Sequence, residues 1–258
     1  HEARYTGIGA SEAAAALGLS HYKQPGDVYN EKRGNVPDWD VPEHMLRGRD
    51  VESAILKSFL RITGKSASEV PCPMYRHDSS GFILATPDAM LEGDETHECK
   101  STSVWNAKRI FEGGPEELPP EWVCQVQQQL LVTGFSVGHI AVMADIHTFK
   151  IFSIEADDYI HERMVAVEGE LWERVLDGVP PEPDWTLSNV EKYVRRLYSV
   201  REGTIIESSQ PSNLWEKQKV IGKIIDRLKK ERSLIRSKFE YEFGENEYMC
   251  LDSGLILR

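Results

Sequence analysis

The segment that most limits what this chain can fold into runs from Gly81 to Ser101. Gly81–Ala85 and Met90-Leu91 are short apolar runs, and Thr96–Ser101 follows after the turn-forming Glu92-Gly93-Asp94-Glu95. Short runs punctuated this way read as strands, the last two forming a hairpin. Along a strand, successive side chains point to opposite faces, so Glu98 and Lys100 share a face and Cys99 takes the other. Asp88 closes the preceding strand, inside Ala85-Thr86-Pro87-Asp88. Two carboxylates and an ammonium therefore converge on one spot.

The rest of the chain supplies helices to cover such a sheet. Ser11 to Leu17 reads as a short helix, with Ser11 as cap, Glu12 in the first turn, an alanine run and Gly18 to close it. A second helix is expected over Gly26–Arg33. Residues 34–47, with two prolines and mixed charge, read as a loop. Arg49–Thr63 carries Val51, Ile55, Leu56, Phe59 and Leu60 in a helical stripe. Val70–Arg76 reads as a strand, Pro120–Thr133 as a helix, Gly138–Ala144 and Phe149–Ile154 as strands, and Asp157–Asp177 as a long helix. The fold class is α/β (α+β), a central mixed β-sheet flanked by helices.

The chain has 258 residues, enough for one ordinary domain with an appendage and for a core that needs no disulfide or structural metal. It contains no run of eighteen apolar residues and no charged-then-apolar leader, so neither a membrane span nor a secretory signal is expected. Cys72, Cys99, Cys124 and Cys250 are far apart, without CxxC pairing, and read as reduced thiols of a cytoplasmic protein. The formal charge of −12 argues weakly against nucleic acid, but the charge is uneven. Residues 186–258 hold 14 Lys/Arg against 11 Asp/Glu, whereas residues 1–185 hold 16 against 31. The break falls in the proline-rich stretch 178–184, which cannot continue a helix. It divides a main domain, 1–185, from a C-terminal helical arm with a terminal hairpin, 186–258.

In that arm Leu214, Ile221, Leu228 and Ile235 recur every seven residues, with Ile224 and Ile225 widening the stripe. Pro211 to Phe239 is thus an amphipathic helix or a short coiled-coil seam, with nine Lys/Arg mostly on its other face. Packing on its own domain and contact with DNA or a partner both fit it. Glu247–Arg258 resembles a hairpin about Asp252-Ser253-Gly254.

The hard oxygen ligands Asp88 and Glu98 suit Mg²⁺ or Mn²⁺, and a lysine beside such ions can orient or deprotonate an attacking water. Taken alone, the same residues also fit a solvated hairpin with a cross-strand ion pair. The flanks add a resemblance. Gly7-Ile8-Gly9-Ala10-Ser11-Glu12-Ala13-Ala14, Arg47-Gly48-Arg49-Asp50-Val51-Glu52, Ala85-Thr86-Pro87-Asp88, Glu98-Cys99-Lys100 and Trp122-Val123-Cys124-Gln125-Val126-Gln127 fall in order along residues 4–155. Together they resemble the phage recombination exonucleases, YqaJ-type and lambda-type, of the PD-(D/E)xK nuclease superfamily.

That resemblance implies metal ligation by Asp88, Glu98, Glu52 and the backbone carbonyl of Cys99, with Lys100 the catalytic lysine. Gln125 matches the glutamine beside the active site that holds the scissile strand. Arg4 and Ser11, seven residues apart, with Thr86 before Pro-Asp, match residues that bind a terminal 5′-phosphate. Arginine offers phosphate a bidentate fork, and a helix start favours an anion. Two Mg²⁺ ions are implied, with Mn²⁺ able to substitute. The implied activity is a 5′-to-3′ exonuclease on linear double-stranded DNA, leaving 3′ tails for a single-strand annealing protein. The implied assembly is a trimeric ring, and the implied location is the bacterial cytoplasm, if the gene belongs to a phage or prophage. An endonuclease or flap-type nuclease on the same core is the first rival, and a non-catalytic DNA-end-binding scaffold the second. His97, facing away from Glu98, is expected in core or surface. His21, Tyr22, Trp105, Asn106 and Lys108 are weaker candidates for DNA contact, and the cysteine positions argue against an iron–sulfur cluster.

Overall fold

The computed structural model describes residues 5–35, 43–187, 190–197 and 212–244, together with short strands at 249–250 and 256–257. Contacts divide the chain into two compact units, His1–Ser199 and Val200–Arg258.

The first unit is built on a five-stranded mixed sheet. Its strands are β2 (Ala67–Glu69), β5 (Ala89–Leu91), β6 (Glu95–Ser101), β7 (Val137–Met143) and β8 (Phe149–Glu155), hydrogen-bonded in that order. The pairs are antiparallel except β6 with β7, which run parallel with Glu98 opposite Ile140 and Lys100 opposite Val142. A parallel pair needs a long crossover, here α4 (Val104–Gly113) and α5 (Pro120–Thr133). The β5–β6 turn works because Gly93 and Asp94 both take positive φ, +94° and 58°, the first at no steric cost. A second sheet holds β1 (Ile8–Gly9), β4 (Ile83–Ala85) and β3 (Tyr75–Arg76), with β4 central and parallel to β1.

Strand parity decides which helix covers which face. On one side, Ile55 and Phe59 of α3 (Glu43–Thr63) pack against Leu91, Cys99 and Ala141. On the other, Ile110 of α4 and Val126 and Leu130 of α5 pack against Ile140, Val142 and Phe152. Because Cys99 faces α3, Glu98 and Lys100 face α5. The outer face of α5 is covered by α1 (Ala13–Ala16) and α6 (Asp158–Asp177), where Ala13, Ala14, Cys124 and Met164 meet. α2 (Pro25–Lys32) joins them through Val28 and Tyr29, against Leu171 and Val175.

Several elements depart from the sequence reading. The first helix begins as a 3-10 turn, Ala10–Glu12, capped by Gly9. Ser11 is inside that turn and exposed, while buried Glu12 accepts the Gly9 N–H at 2.8 Å. The strand expected over Val70–Arg76 survives only as β3, because Pro71 and Pro73 lack the N–H that a ladder requires. Glu43–Arg47, read as loop, is the first turn of α3; residues 36–42 lie outside the described ones. α4 was not expected, although Ser103 caps it by accepting the Asn106 N–H at 3.3 Å. The helix at Pro120–Thr133 matches its expected bounds, and β7, β8 and α6 match theirs within a residue.

The chain past the proline-rich stretch first returns to the main unit. α7 (Val190–Leu197) buries Tyr193, whose hydroxyl donates to the Pro181 carbonyl at 2.8 Å. Its ring lies so close to Gly26 that a Cβ there would sit 1.9 Å away, so only glycine fits. In the second unit α8 (Ser212–Phe243) is a single long helix, and β9 (Met249–Cys250) pairs antiparallel with β10 (Ile256–Leu257). No helix among the described residues is long and apolar enough to cross a membrane. Cys72, Cys99 and Cys124 are free thiols.

Candidate active site

Glu98 and Lys100 meet as strand periodicity requires: Lys100 Nζ donates to Glu98 Oε1 at 2.8 Å. Gln125, one turn into α5, closes a triangle. Its Oε1 accepts from Lys100 Nζ at 2.7 Å and its Nε2 donates to Glu98 Oε1 at 2.6 Å. The planar amide thus fixes the relative position of an anion and a cation. Asp88 lies between β4 and β5, where its backbone N–H donates to the His97 carbonyl at 3.1 Å. Its Oδ2 accepts the Cys99 N–H at 2.6 Å. Of the Cys99 backbone groups, it is the amide that meets Asp88.

Glu52 comes from α3. The Cys99 thiol donates to the Glu52 carbonyl at 3.4 Å, tying the helix to β6. Burial and the nearby Glu98 charge raise the Glu52 carboxyl above its usual range, opposed by Arg49 and Lys100. Asp88 is pushed up to about 7, first by burial, then by Glu98 and Glu52, against the Cys99 N–H and Lys100. Burial also pushes the Cys99 thiol up, so it stays protonated.

Asp88 and Glu52, both raised by burial and by the Glu98 charge, together with Glu98 outnumber the one ammonium and leave negative charge for a hard divalent cation to neutralise. The donor set fits Mg²⁺ or Mn²⁺ in kind. Among the described residues no three acidic, histidine or cysteine side chains close on one point in a ligating arrangement. Glu98 spends both oxygens on Lys100, Gln125 and Gln129.

Gln125 also lines a cleft of about 260 Å³. Ser11 and Thr86, both exposed, lie in its walls with Glu12 and Lys32. Residues 75 positions apart in sequence are thus brought to one cleft adjoining the Glu98–Lys100 pair. Arg4 lies outside the described residues.

The remaining candidates divide. His97 is fully buried, its ring centroid 4.2 Å from that of Phe59, and burial lowers it to about 4; it is a neutral core residue, as its parity implies. The His21 N–H donates to Glu121 Oε1 at 3.2 Å. Tyr22 and Trp105 are more than four-fifths exposed, the latter on α4 just beyond β6.

Sequence reasoning missed the other glutamines of α5. Gln128 Nε2 donates to the carbonyls of Ile8 and Leu84, both at 2.9 Å, fastening the β1–β4 pair to the helix. Gln127 donates to the Glu155 carbonyl at 2.8 Å and accepts the Asp157 N–H at 3.1 Å. Gln129 Nε2 donates to Glu98 Oε2 at 2.6 Å. The run Gln127-Gln128-Gln129 was the available signal. It was missed because polar residues on a helix ordinarily face water. A buried charge group went unread too: Lys32 Nζ is 2.5 Å from Glu12 Oε2, and wholly buried Glu168 lies near both.

Comparisons with known proteins bear on the family and the fold. The model of the YqaJ-like viral recombinase domain matches residues 1–136. The chain is similar to the uncharacterized protein YqaJ of Bacillus subtilis, 30% identical over 252 residues that span 95% of this chain and 77% of that protein. Its fold is similar to that of an alkaline exonuclease from Laribacter hongkongensis, with TM-score 0.58 and 18% identity over 76% of this chain and 97% of that one. It is also similar to a phage related exonuclease from Haemophilus somnus, with TM-score 0.54 and 9% identity over 67% of this chain and 96% of that one.

Proposed function

Because the chain belongs to the YqaJ-like viral recombinase family, we propose that it is a Mg²⁺-dependent exonuclease on linear double-stranded DNA. It degrades one strand from the 5′ end and leaves a 3′ tail for a single-strand annealing protein. One observation carries the reading: Lys100, Glu98 and Gln125 form a closed hydrogen-bonded triangle beside Asp88 and Glu52, at the end of a cleft that also holds Ser11 and Thr86.

Asp88, Glu98 and Glu52, with the Cys99 carbonyl, would hold the metal. The chemistry that two Mg²⁺ ions, or Mn²⁺, would supply there is a lowered pKa for water and neutralisation of charge on the scissile phosphate and leaving oxygen. Lys100 orients the attacking water, its ammonium aimed by Glu98 and Gln125. Gln125 also borders the cleft, where its amide meets the scissile strand. Ser11 and Thr86 offer hydroxyl donors to the terminal 5′-phosphate, and family resemblance adds the Arg4 guanidinium as their cationic counterpart. An acidic chain acting on DNA is reconciled if copies form a ring with a basic channel, a trimer by family analogy.

Digestion of a linear duplex labelled at the 5′ or 3′ strand end tests this, with 5′-phosphate and 5′-hydroxyl ends side by side. Loss from the 5′ end, faster with phosphate and blunted in Arg4→Ala, is expected. Equal cutting of covalently closed circles would replace the reading with an endonuclease. Absence of degradation with either Mg²⁺ or Mn²⁺ would leave an end-binding scaffold.

A further inference from the structure

Helix α5 brings a second glutamine to the same carboxylate. Gln125 and Gln129 are one helical turn apart and so present to one side. Gln125 donates to Glu98 Oε1, the oxygen that also takes Lys100, whereas Gln129 donates to Oε2 at 2.6 Å. We infer that Gln129 is a positioning residue for the proposed reaction: its buried amide locks the rotation of the Glu98 carboxylate, so that Oε1 faces Lys100 and Gln125. The inference rests on the nuclease reading above.

Three features support it. A carboxylate held through one oxygen can still turn about its terminal bond, and a donor on the other oxygen removes that freedom. Gln129 does not line the cleft that Gln125 lines, and it is fully buried, so it acts through Glu98 and not on a ligand. Its own Oε1 is buried without a hydrogen-bond partner among the described residues. An apolar side chain of equal size would avoid that unfavourable state, which leaves the N–H donor to Glu98 as the group the position depends on. Turning the amide over would set oxygen against oxygen, so its orientation is fixed.

The experiment compares the full chain with Gln129→Met, which removes donor and orphaned acceptor together at similar volume, and with Gln129→Glu, which sets a second carboxylate on the first. Three quantities are measured: melting temperature in chelator, affinity for Mn²⁺ alone by calorimetry, and kcat and KM on a 5′-phosphorylated linear duplex. Gln129→Met is expected to melt within a few degrees of wild type. Its Mn²⁺ affinity and kcat each fall roughly tenfold or more with KM nearly unchanged, the usual scale for a residue that orients a metal ligand. Gln129→Glu loses more of both. Mn²⁺ affinity and kcat both within about twofold of wild type in Gln129→Met would overturn the inference. So would a melting temperature that falls in parallel with them, which assigns Gln129 to packing. A wild-type chain that binds Mn²⁺ but degrades no DNA removes the nuclease reading, and the Mn²⁺ affinities then decide this inference alone. A wild-type chain that binds no Mn²⁺ removes both.

Discussion

Lys100 Nζ lies 2.8 Å from Glu98 Oε1, two residues away on the same face of β6, and that face is turned toward α5 by the packing of Cys99 on α3. The pair sits where one wall of the cleft, Gln125, reaches the sheet. Its largely buried position strengthens each electrostatic contact it makes and raises the consequence of losing one.

Replacing Lys100 by Met removes the ammonium at nearly constant volume. The single-turnover rate on a linear duplex should fall by about 10²–10³, the scale for losing one aimed donor at a reacting group. Melting temperature should change by only a few degrees. A variant retaining a tenth of wild-type rate would remove Lys100 from the reaction.

Asp88 gives a pH dependence whose sign is fixed by its raised pKa of about 7. The folded chain holds this proton more tightly than the unfolded chain. Stability from it is therefore complete below the ordinary carboxylate range and is lost as pH rises from there to about 7. A divalent cation competes with the same proton. The gain in melting temperature on adding Mg²⁺ should be larger at about pH 8 than at about pH 5.5, and turnover should rise through neutrality. Asp88→Asn should shrink the pH dependence of the Mg²⁺ gain to what Glu52, also raised, contributes. An equal gain at both pH values in wild type would contradict the assignment.

Glu168 is wholly buried, with neither carboxylate oxygen hydrogen-bonded among the described residues, and burial with the nearby Glu12 holds its pKa well above the usual range. Glu168→Met should stabilise the protein by about 1–3 kcal/mol at alkaline pH, where the native carboxyl is costly. The gain should shrink as pH falls into the ordinary carboxylate range. Denaturant melts at several pH values measure it; a loss of stability at every pH would show that Glu168 is a required partner of Lys32.

Gly26 packs directly on the Tyr193 ring. Gly26→Ala should cost about 1–3 kcal/mol by overpacking. It should also expose the 181–197 segment to limited proteolysis, because the Tyr193 hydroxyl bond to Pro181 is lost with the ring's position. Unchanged cleavage in that segment would mean that the ring finds another seat.

The relations legible in the amino-acid order alone are local. Period-two alternation puts Glu98 and Lys100 on one face of β6 and Cys99 and His97 on the other, and the Gly93 turn sets Asp88 beside them. These relations follow from backbone geometry over a dozen residues. The bounds of α5, Pro120–Thr133, were equally legible, and the structure ends the helix at Gly134 in its left-handed conformation. The places of Glu52 and Gln125 came from family likeness, since a glutamate and a glutamine on helix surfaces look like solvated residues. Tertiary structure alone decided that α5 turns its glutamines inward, Gln125 and Gln129 to Glu98 and Gln128 to the β1–β4 pair. It also decided that Lys32, Glu12 and Glu168 share one buried charge group, and that Tyr193 returns the chain to Gly26. Each is a contact between polar or aromatic groups far apart in sequence. Residue type gives the strength of such a bond, but only the packing of helices on the sheet, driven by apolar burial, decides which partner it meets.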